Sequence, residues 1–299
     1  MVKKVSRAVV VVVVAGVFGG SGVASANDGG EVTGPTTEVT VPAATAPAET
    51  GPPTSAPTSA ATAGTDAHTT GHKVGARSGL PFDSGVFAHS PERVARYEQK
   101  TGRKVDLWQI APQRKEGDDV MLSETQRTAA EIPDGATADW AFPLVSREQA
   151  ARLGEVINAE TPTAYVRFGW EFNGDWWPWS AEKVGHDKWV ADYKAAVDGL
   201  RSTAPNVRVV WNPNSGQGGI PEAMKSWPGD DYVDVIGVDV YDWANEDPVK
   251  GEGQLDEWAA EARKRGKKIA LPEWGVHGVE GRGDNPASVS YTHLRAHET

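Results

Sequence analysis

From residue 85 onward, short apolar runs and amphipathic stretches take turns along the chain, and that alternation limits the fold more than any other feature. The apolar runs are GVFAH (85–89), VDLWQIAP (105–112), DWAFPLV (139–145), AYVRFGWEF (164–172), VRVVWNPN (207–214), VDVIGVDVYD (233–242) and KIALPEWGV (268–276). Between them SPERVARYEQKTG, SREQAARLGEVINAE, HDKWVADYKAAVDGLRSTA and QLDEWAAEARKRG space their apolar residues for one helical face. Strand and helix in alternation over this length predict parallel strands joined by helical crossovers. A doubly wound open sheet and a closed (β/α)8 barrel both satisfy that pattern. No glycine fingerprint follows the first run, which weakens the dinucleotide-binding version of the open sheet. Nearly every run also ends in polar residues: His89, Gln109, Glu171, Asn212 with Asn214, Asp239 with Tyr241, and Glu273. Polar groups at the carboxyl ends of several strands converge on one mouth in a barrel. The expected fold is therefore an α/β (β/α)8 TIM barrel over residues 80–288, with seven strands visible and truncation before the eighth.

The ends of the chain read differently. Residues 1–26, MVKKVSRAVVVVVVAGVFGGSGVASA, have a basic start, an apolar run and an A-x-A ending, the pattern of a cleavable secretory signal rather than a membrane span. Residues 27–79 are rich in Thr, Pro and Ala with almost no large apolar side chains, and are expected to be a disordered linker. Residues 289–299 carry neither strand nor clear helix character and are read as a non-native tail. The chain has no cysteine, so an exported fold must stand on its core alone. A net charge of -11 argues against nucleic acid and anionic membrane as partners, both of which reward clustered Lys and Arg. The expectation is a secreted monomer, free of the membrane once its leader is removed.

Strand parity sharpens the search for chemistry. In VDVIGVDVYD, Ile236, Val238 and Val240 share one face and Gly237, Asp239 and Tyr241 the other. By the same count Arg167, Gly169 and Glu171 share the inward face of the fourth strand. Glu171 ends the fourth strand and Glu273 the seventh, and glycoside hydrolysis needs such a pair of carboxyl groups flanking one bond. Trp176, Trp177 and Trp179 follow a Gly-Asp turn and are interrupted by Pro178, so one strand or helix face cannot bury all three. Indole faces suit the CH face of a pyranose. Asn173, Asn212, Asp239, Trp170, Trp274, His89 and Trp108 complete the candidates for binding or support, with His89 and Trp108 at the cleft floor. Arg167 is read as holding a neighbouring carboxylate ionised. The doublets Asp118/Asp119 and Asp230/Asp231 are read as turn and helix-cap residues rather than calcium ligands. His186 and His277 have no evident partner. No metal or organic cofactor is called for.

The segments VRFGWEFNGDWWPWS, WNPN, PGDDYVDVIGVDVYD and LPEWG resemble glycoside hydrolase family 26, the group that includes endo-β-1,4-mannanases, over residues 81–287. The resemblance implies a retaining (β/α)8 barrel with Glu171 as acid/base, Glu273 as nucleophile and Tyr241 as the tyrosine that hydrogen-bonds the nucleophile. Trp170 stands where mannanases of the family carry histidine, a departure that bears on the choice of sugar. Alternatives from outside mannan hydrolysis are a mixed-linkage glucanase or xylanase on the same scaffold and a non-catalytic carbohydrate-binding protein. The long amphipathic stretches count against the last, since binding modules are usually β-sandwiches.

Overall fold

The computed structural model describes residues 10–14, 74–112, 118–242 and 254–276. Its strands are β1 (Val10–Val14), β2 (Ser84–Phe87), β3 (Leu107–Ile110), β4 (Thr137–Phe142), β5 (Tyr165–Phe168), β6 (Arg208–Trp211), β7 (Val235–Gly237), β8 (Val240–Asp242), β9 (Lys268–Leu271) and β10 (Trp274–Val276). Its helices are α1 (Pro91–Thr101), α2 (Asp118–Ala129), α3 (Arg147–Glu160), α4 (Ala181–Val184), α5 (His186–Thr203), α6 (Gly219–Met224) and α7 (Leu255–Lys264). The sheet runs β1-β2-β3-β4-β5-β6-β7-β9, all parallel and closed on itself, while β8 and β10 pair as a separate two-stranded ribbon. All seven apolar runs thus deliver barrel strands in chain order. The remaining place, between β9 and β2, is taken by Val10–Val14 from the run read as an export leader, with Val12 opposite both Leu271 and Ser84.

Alternation along the strands sorts two cores. Trp108, Trp140, Phe142, Val166, Phe168 and Trp211 point away from the barrel axis and pack with helix residues such as Leu153, Trp189, Val197 and Trp258. Leu107, Tyr165, Val210, Val235 and Ala270 have the opposite parity and form a separate small cluster inside the barrel. The interior is tight: a Cβ on Gly237 would lie 2.7 Å from Val210 Cγ1 and 2.8 Å from Pro272 Cγ, so only glycine fits there. Outside, Ser146 and Gln149 close a reciprocal capping box that starts α3. That helix lies so close to α5 that a Cβ on Gly199 would meet the Arg147 carbonyl oxygen at 2.1 Å.

Strands are shorter than the apolar runs. The last two runs each split, at Val238–Asp239 and at Pro272–Glu273, and the backbone there forms cross-strand bonds from Asp239 N to Pro213 O and from Val240 N to Glu273 O. Residues 74–79, expected within the linker, form a turn whose Arg77 and Ser78 N–H groups donate to Asp106 Oδ1 beneath the barrel. Among the described residues no helix is long and apolar enough to cross a membrane. The rest of the expected linker, His277 and the tail 289–299 lie outside the described residues.

Candidate active site

Glu171 reaches the mouth by leaving its strand. β5 ends at Phe168, and Gly169 (φ 57°) and Glu171 (φ 50°) both take left-handed backbone conformations. Glycine does so freely, whereas a glutamate there is strained, a kind of strain that clusters at functional sites. The turn is held by Gly169 N donating to Phe142 O at 2.9 Å and Glu171 N donating to Asn212 O at 2.7 Å. Phe172 then inserts between Trp189 and Trp211 in the outer core, which anchors the loop from below.

The Glu171 carboxylate accepts three N–H donors: Asn214 Nδ2 at 2.7 Å on Oε1, Trp176 Nε1 at 3.0 Å and Trp177 Nε1 at 3.3 Å on Oε2. Burial and then the charge of Glu273 push its pKa above the ordinary carboxyl range, and these three donors pull it partly back. Room for the Trp176 indole comes from Gly174, where a Cβ would lie 2.4 Å from the ring. Asn173 ties this loop to the next. It receives Asn214 N at 2.8 Å and donates to Asn214 O at 2.8 Å and Gln217 O at 2.9 Å.

Glu273 follows β9 and is partly exposed. Tyr241 O–H donates to its Oε2 at 2.9 Å, Arg167 approaches Oε1 at 3.5 Å, and its backbone N–H donates to Asp239 Oδ1 at 3.0 Å. Burial, with the Glu273 charge second, raises the pKa of Tyr241, so its phenol keeps the proton it donates. One carboxylate oxygen each from Glu171, Asp239 and Glu273 lies within 4.8 Å of the others. The two glutamates thus share one small space, the condition that the strand count required.

Beneath them Arg167 is wholly enclosed. Its NH1 donates to Asn212 Oδ1 at 2.7 Å, its Nε lies 3.4 Å from Asp139, and NH1 lies 4.0 Å from Asp239. The Gln109 amide, oriented to satisfy its neighbours, accepts from Arg167 NH2 and donates to Pro272 O at 2.7 Å. Burial works against the Arg167 charge, but Asp139, Asp239 and Glu273 outweigh it and hold its pKa above the ordinary value. The guanidinium supplies a positive charge to Asp139, Asp239 and Glu273 from below.

Glu171, Glu273, Arg167, Asn212, Asp239, Tyr241, Trp176 and Trp177 lie together, and Asn173 braces the loop beside them. The others lie elsewhere. Trp108 is not at the cleft floor: on outward parity it is buried between sheet and helices and donates Nε1 to Ala88 O at 2.7 Å. Trp274 is likewise buried in the outer core. His89 is exposed and packs edge-on against Phe87, 4.8 Å between centroids. Trp179 is buried, stacked on Trp177 at 4.8 Å and bonded through Nε1 to Trp170 O, so it and Trp170 buttress Trp177. His186 does have partners, Ser226 Oγ at 2.8 Å and Glu222 at 3.4 Å. Asp119 pairs with Arg152 and Asp230 with Arg265. Asp139 received no role in the sequence reading, and Gln109 and Asn214 were noted only as strand-end polar groups. Inward parity in DWAF and WNPN is the signal that would have assigned Asp139 and Asn214.

Residues 136–255, which hold Glu171, Asn214, Asp239 and Tyr241, match the model of glycosyl hydrolase family 26. Over that stretch the chain is similar to family 26. Endoglucanase H of Acetivibrio thermocellus is 32% identical over 98 residues, 31% of this chain and 11% of that protein. Mannan endo-1,4-beta-mannosidase of Bifidobacterium adolescentis is 31% identical over 121 residues, 36% of this chain and 12% of that protein. The chain thus spans about a tenth of the length of these relatives. Among solved structures, the modular endo-β-1,4-mannanase of Cellulomonas fimi superposes with a TM-score of 0.55 at 19% identity, covering 67% of this chain and 56% of that one. The β-mannanase from a symbiotic protist of the termite Reticulitermes speratus gives 0.51 at 14% identity, covering 69% and 83%. At these identities the superpositions speak to the barrel fold alone.

Proposed function

We propose that the chain is a secreted, retaining endo-β-glycanase acting on β-1,4-mannan-type plant polysaccharide. The observation that carries this reading is the approach of the Glu171 and Glu273 carboxylates, with oxygens within 4.8 Å. Retaining glycosidases hold their carboxyl groups about 5–5.5 Å apart, whereas inverting enzymes need about 6.5–9.5 Å to admit a water. Glu273 attacks the anomeric carbon as the bond to the leaving sugar breaks, and Glu171 gives its proton to the departing oxygen. Glu171, now ionised, takes a proton from the water whose oxygen displaces Glu273, and two inversions restore the configuration. The upward shift of Glu171 supports its starting the cycle as an acid. Trp176, exposed by 41%, offers an indole face for a sugar ring.

The decisive experiment pairs Glu171→Gln with trapping of the glycosyl-enzyme on intact protein. Hydrolysis should fall by about 10²–10⁴-fold in the variant. The trapped sugar should sit on Glu273. Undiminished hydrolysis by Glu171→Gln would sink the assignment. The same machinery on mixed-linkage glucan or xylan is favoured by Trp170 at the family's histidine position and by the similarity to an endoglucanase. Product sizing across a panel of soluble polysaccharides separates the two, since activity confined to glucan or xylan rules out mannan. For export, we read residues 1–26 as a cleaved leader, whose removal vacates the barrel place that Val10–Val14 holds, and 27–79 as a linker to a monomeric catalytic unit. Sequencing the amino terminus of protein recovered from culture medium should return Asn27, and an intact Met1 overturns cleavage.

A further inference from the structure

Three carboxyl groups surround one guanidinium in the barrel interior, and a fourth, Glu171, stands beside two of them. Asp139 and Asp239 are almost wholly enclosed, Glu171 is nearly so, Glu273 is partly exposed, and Arg167 is the buried cation that Asp139, Asp239 and Glu273 share. With Glu171 protonated as an acid, three carboxylates against one guanidinium would still leave two uncompensated negative charges in a dry site. Isolated buried charge is costly enough that a group in this position takes up a proton instead.

Geometry distinguishes which group takes it. Glu273 has the Tyr241 hydroxyl and Arg167. Asp139 Oδ1 is likewise buried without a hydrogen-bond partner, but it stands closer to the guanidinium, 3.4 Å from the Arg167 Nε. Asp239 uses Oδ1 to accept the Glu273 backbone N–H, but its Oδ2 is buried with no hydrogen-bond partner and stands 4.0 Å from the nearest Arg167 nitrogen. It also faces two carboxylates at once, Glu171 and Glu273. We propose that Asp239 is a proton-bearing positioning residue, whose neutral carboxyl fixes the Glu273 backbone through Oδ1 and presents an O–H on Oδ2 to the glutamate pair.

The groups facing Asp239 from every side are Arg167 from β5, Asn212 beyond β6, Tyr241 on β8, and the two glutamates. Arg167 and Asn212 favour its charged form, but burial first and the Glu273 charge second prevail and push its pKa well above the ordinary Asp value. A neutral Asp239 leaves Glu273 with one fewer like charge beside it. The nucleophile in the proposed reaction must be ionised, so this is the arrangement that reaction needs.

The consequence for the reaction rests on the hydrolase reading, but the protonation state does not, and the test keeps them apart. Full-length protein and Asp239→Asn are compared by melting temperature across pH. A carboxyl whose folded pKa is raised costs stability as pH climbs from the ordinary Asp value towards the raised one. The parent should therefore lose stability relative to Asp239→Asn over that window, and the variant should melt no lower than the parent at neutral pH. An infrared difference spectrum at neutral pH should show a protonated-carboxyl C=O band in the parent that the variant lacks. On an active substrate, Asp239→Asn should recover at least about tenfold of the kcat lost in Asp239→Leu, because Asn copies the neutral carboxyl in shape and donor. The proposal is overturned if Asp239→Asn melts lower than the parent at neutral pH, or fails to fold, or if the band is absent. Inactivity of the parent on every glycan tested would sink the hydrolase reading while the thermal and infrared results still decide this one.

Discussion

Replacing Arg167 by methionine keeps much of the buried stem and removes only the charge and its donors. In the folded protein that guanidinium faces Asp139 at 3.4 Å, Glu273 at 3.5 Å and Asp239 at 4.0 Å, and donates to Asn212 at 2.7 Å, with no exposure to water. Breaking a buried ion pair from one side costs about 3–5 kcal/mol, because the partner charge is left uncompensated. For a domain of this size each kcal/mol moves the melting temperature by about 2–4 °C, so a fall of roughly 6–20 °C is expected at neutral pH. Calorimetry of Arg167→Met at neutral and acid pH measures it. The loss should shrink in acid, where protonated carboxyl groups no longer need the cation. Arg167→Lys should recover only part of it, since an ammonium cannot span Asn212, Gln109 and the carboxylates with one planar fork. A neutral-pH fall under about 2 °C, or a larger loss in acid than at neutrality, would refute the view that Arg167 is the charge centre of the site.

Trp176→Phe removes one N–H that favours ionised Glu171, so the alkaline limb of the kcat/KM profile should move to higher pH; movement to lower pH would contradict the assigned bond. Gly199→Ala places a Cβ 2.1 Å from the Arg147 carbonyl oxygen, and the α3–α5 contact should lose about 1–3 kcal/mol in a denaturant melt while the pH profile of the site stays put.

Alternating apolar and amphipathic stretches were enough to read the barrel and its strand order, because α1, α3, α5 and α7 each carry a periodic stripe, whereas α2 between β3 and β4 was not legible. Strand lengths were not legible. AYVRFGWEF reads as continuous strand, yet the chain turns at Gly169, since whether a glycine in a strand pattern marks a turn depends on neighbours such as Phe142 and Asn212 that lie far away in sequence. Glu171 therefore arrives at the mouth by a strained turn and not by the alternation that first pointed to it. Trp108 shows the converse error. Its neighbour Gln109 has inward parity, so the indole had to face the helices, and its aromatic character drew attention that its register did not support. Asp139 was passed over because a lone acid between Ala138 and Trp140 has no local signal of its partner Arg167, one strand away. Nothing in a run of valines, finally, announces a partner strand more than two hundred positions distant.

That last pairing sets removal of the leader against closure of the ring. Cleavage after Ala26 would take Val10–Val14 away from β9 and β2 together. Each of those strands would then show a row of unpaired backbone N–H and C=O groups, a template for a neighbouring molecule. The valine run is itself β-prone and uncharged, ready to pair elsewhere once released. Processed protein should therefore aggregate more readily than the uncleaved form unless another strand fills the vacated place.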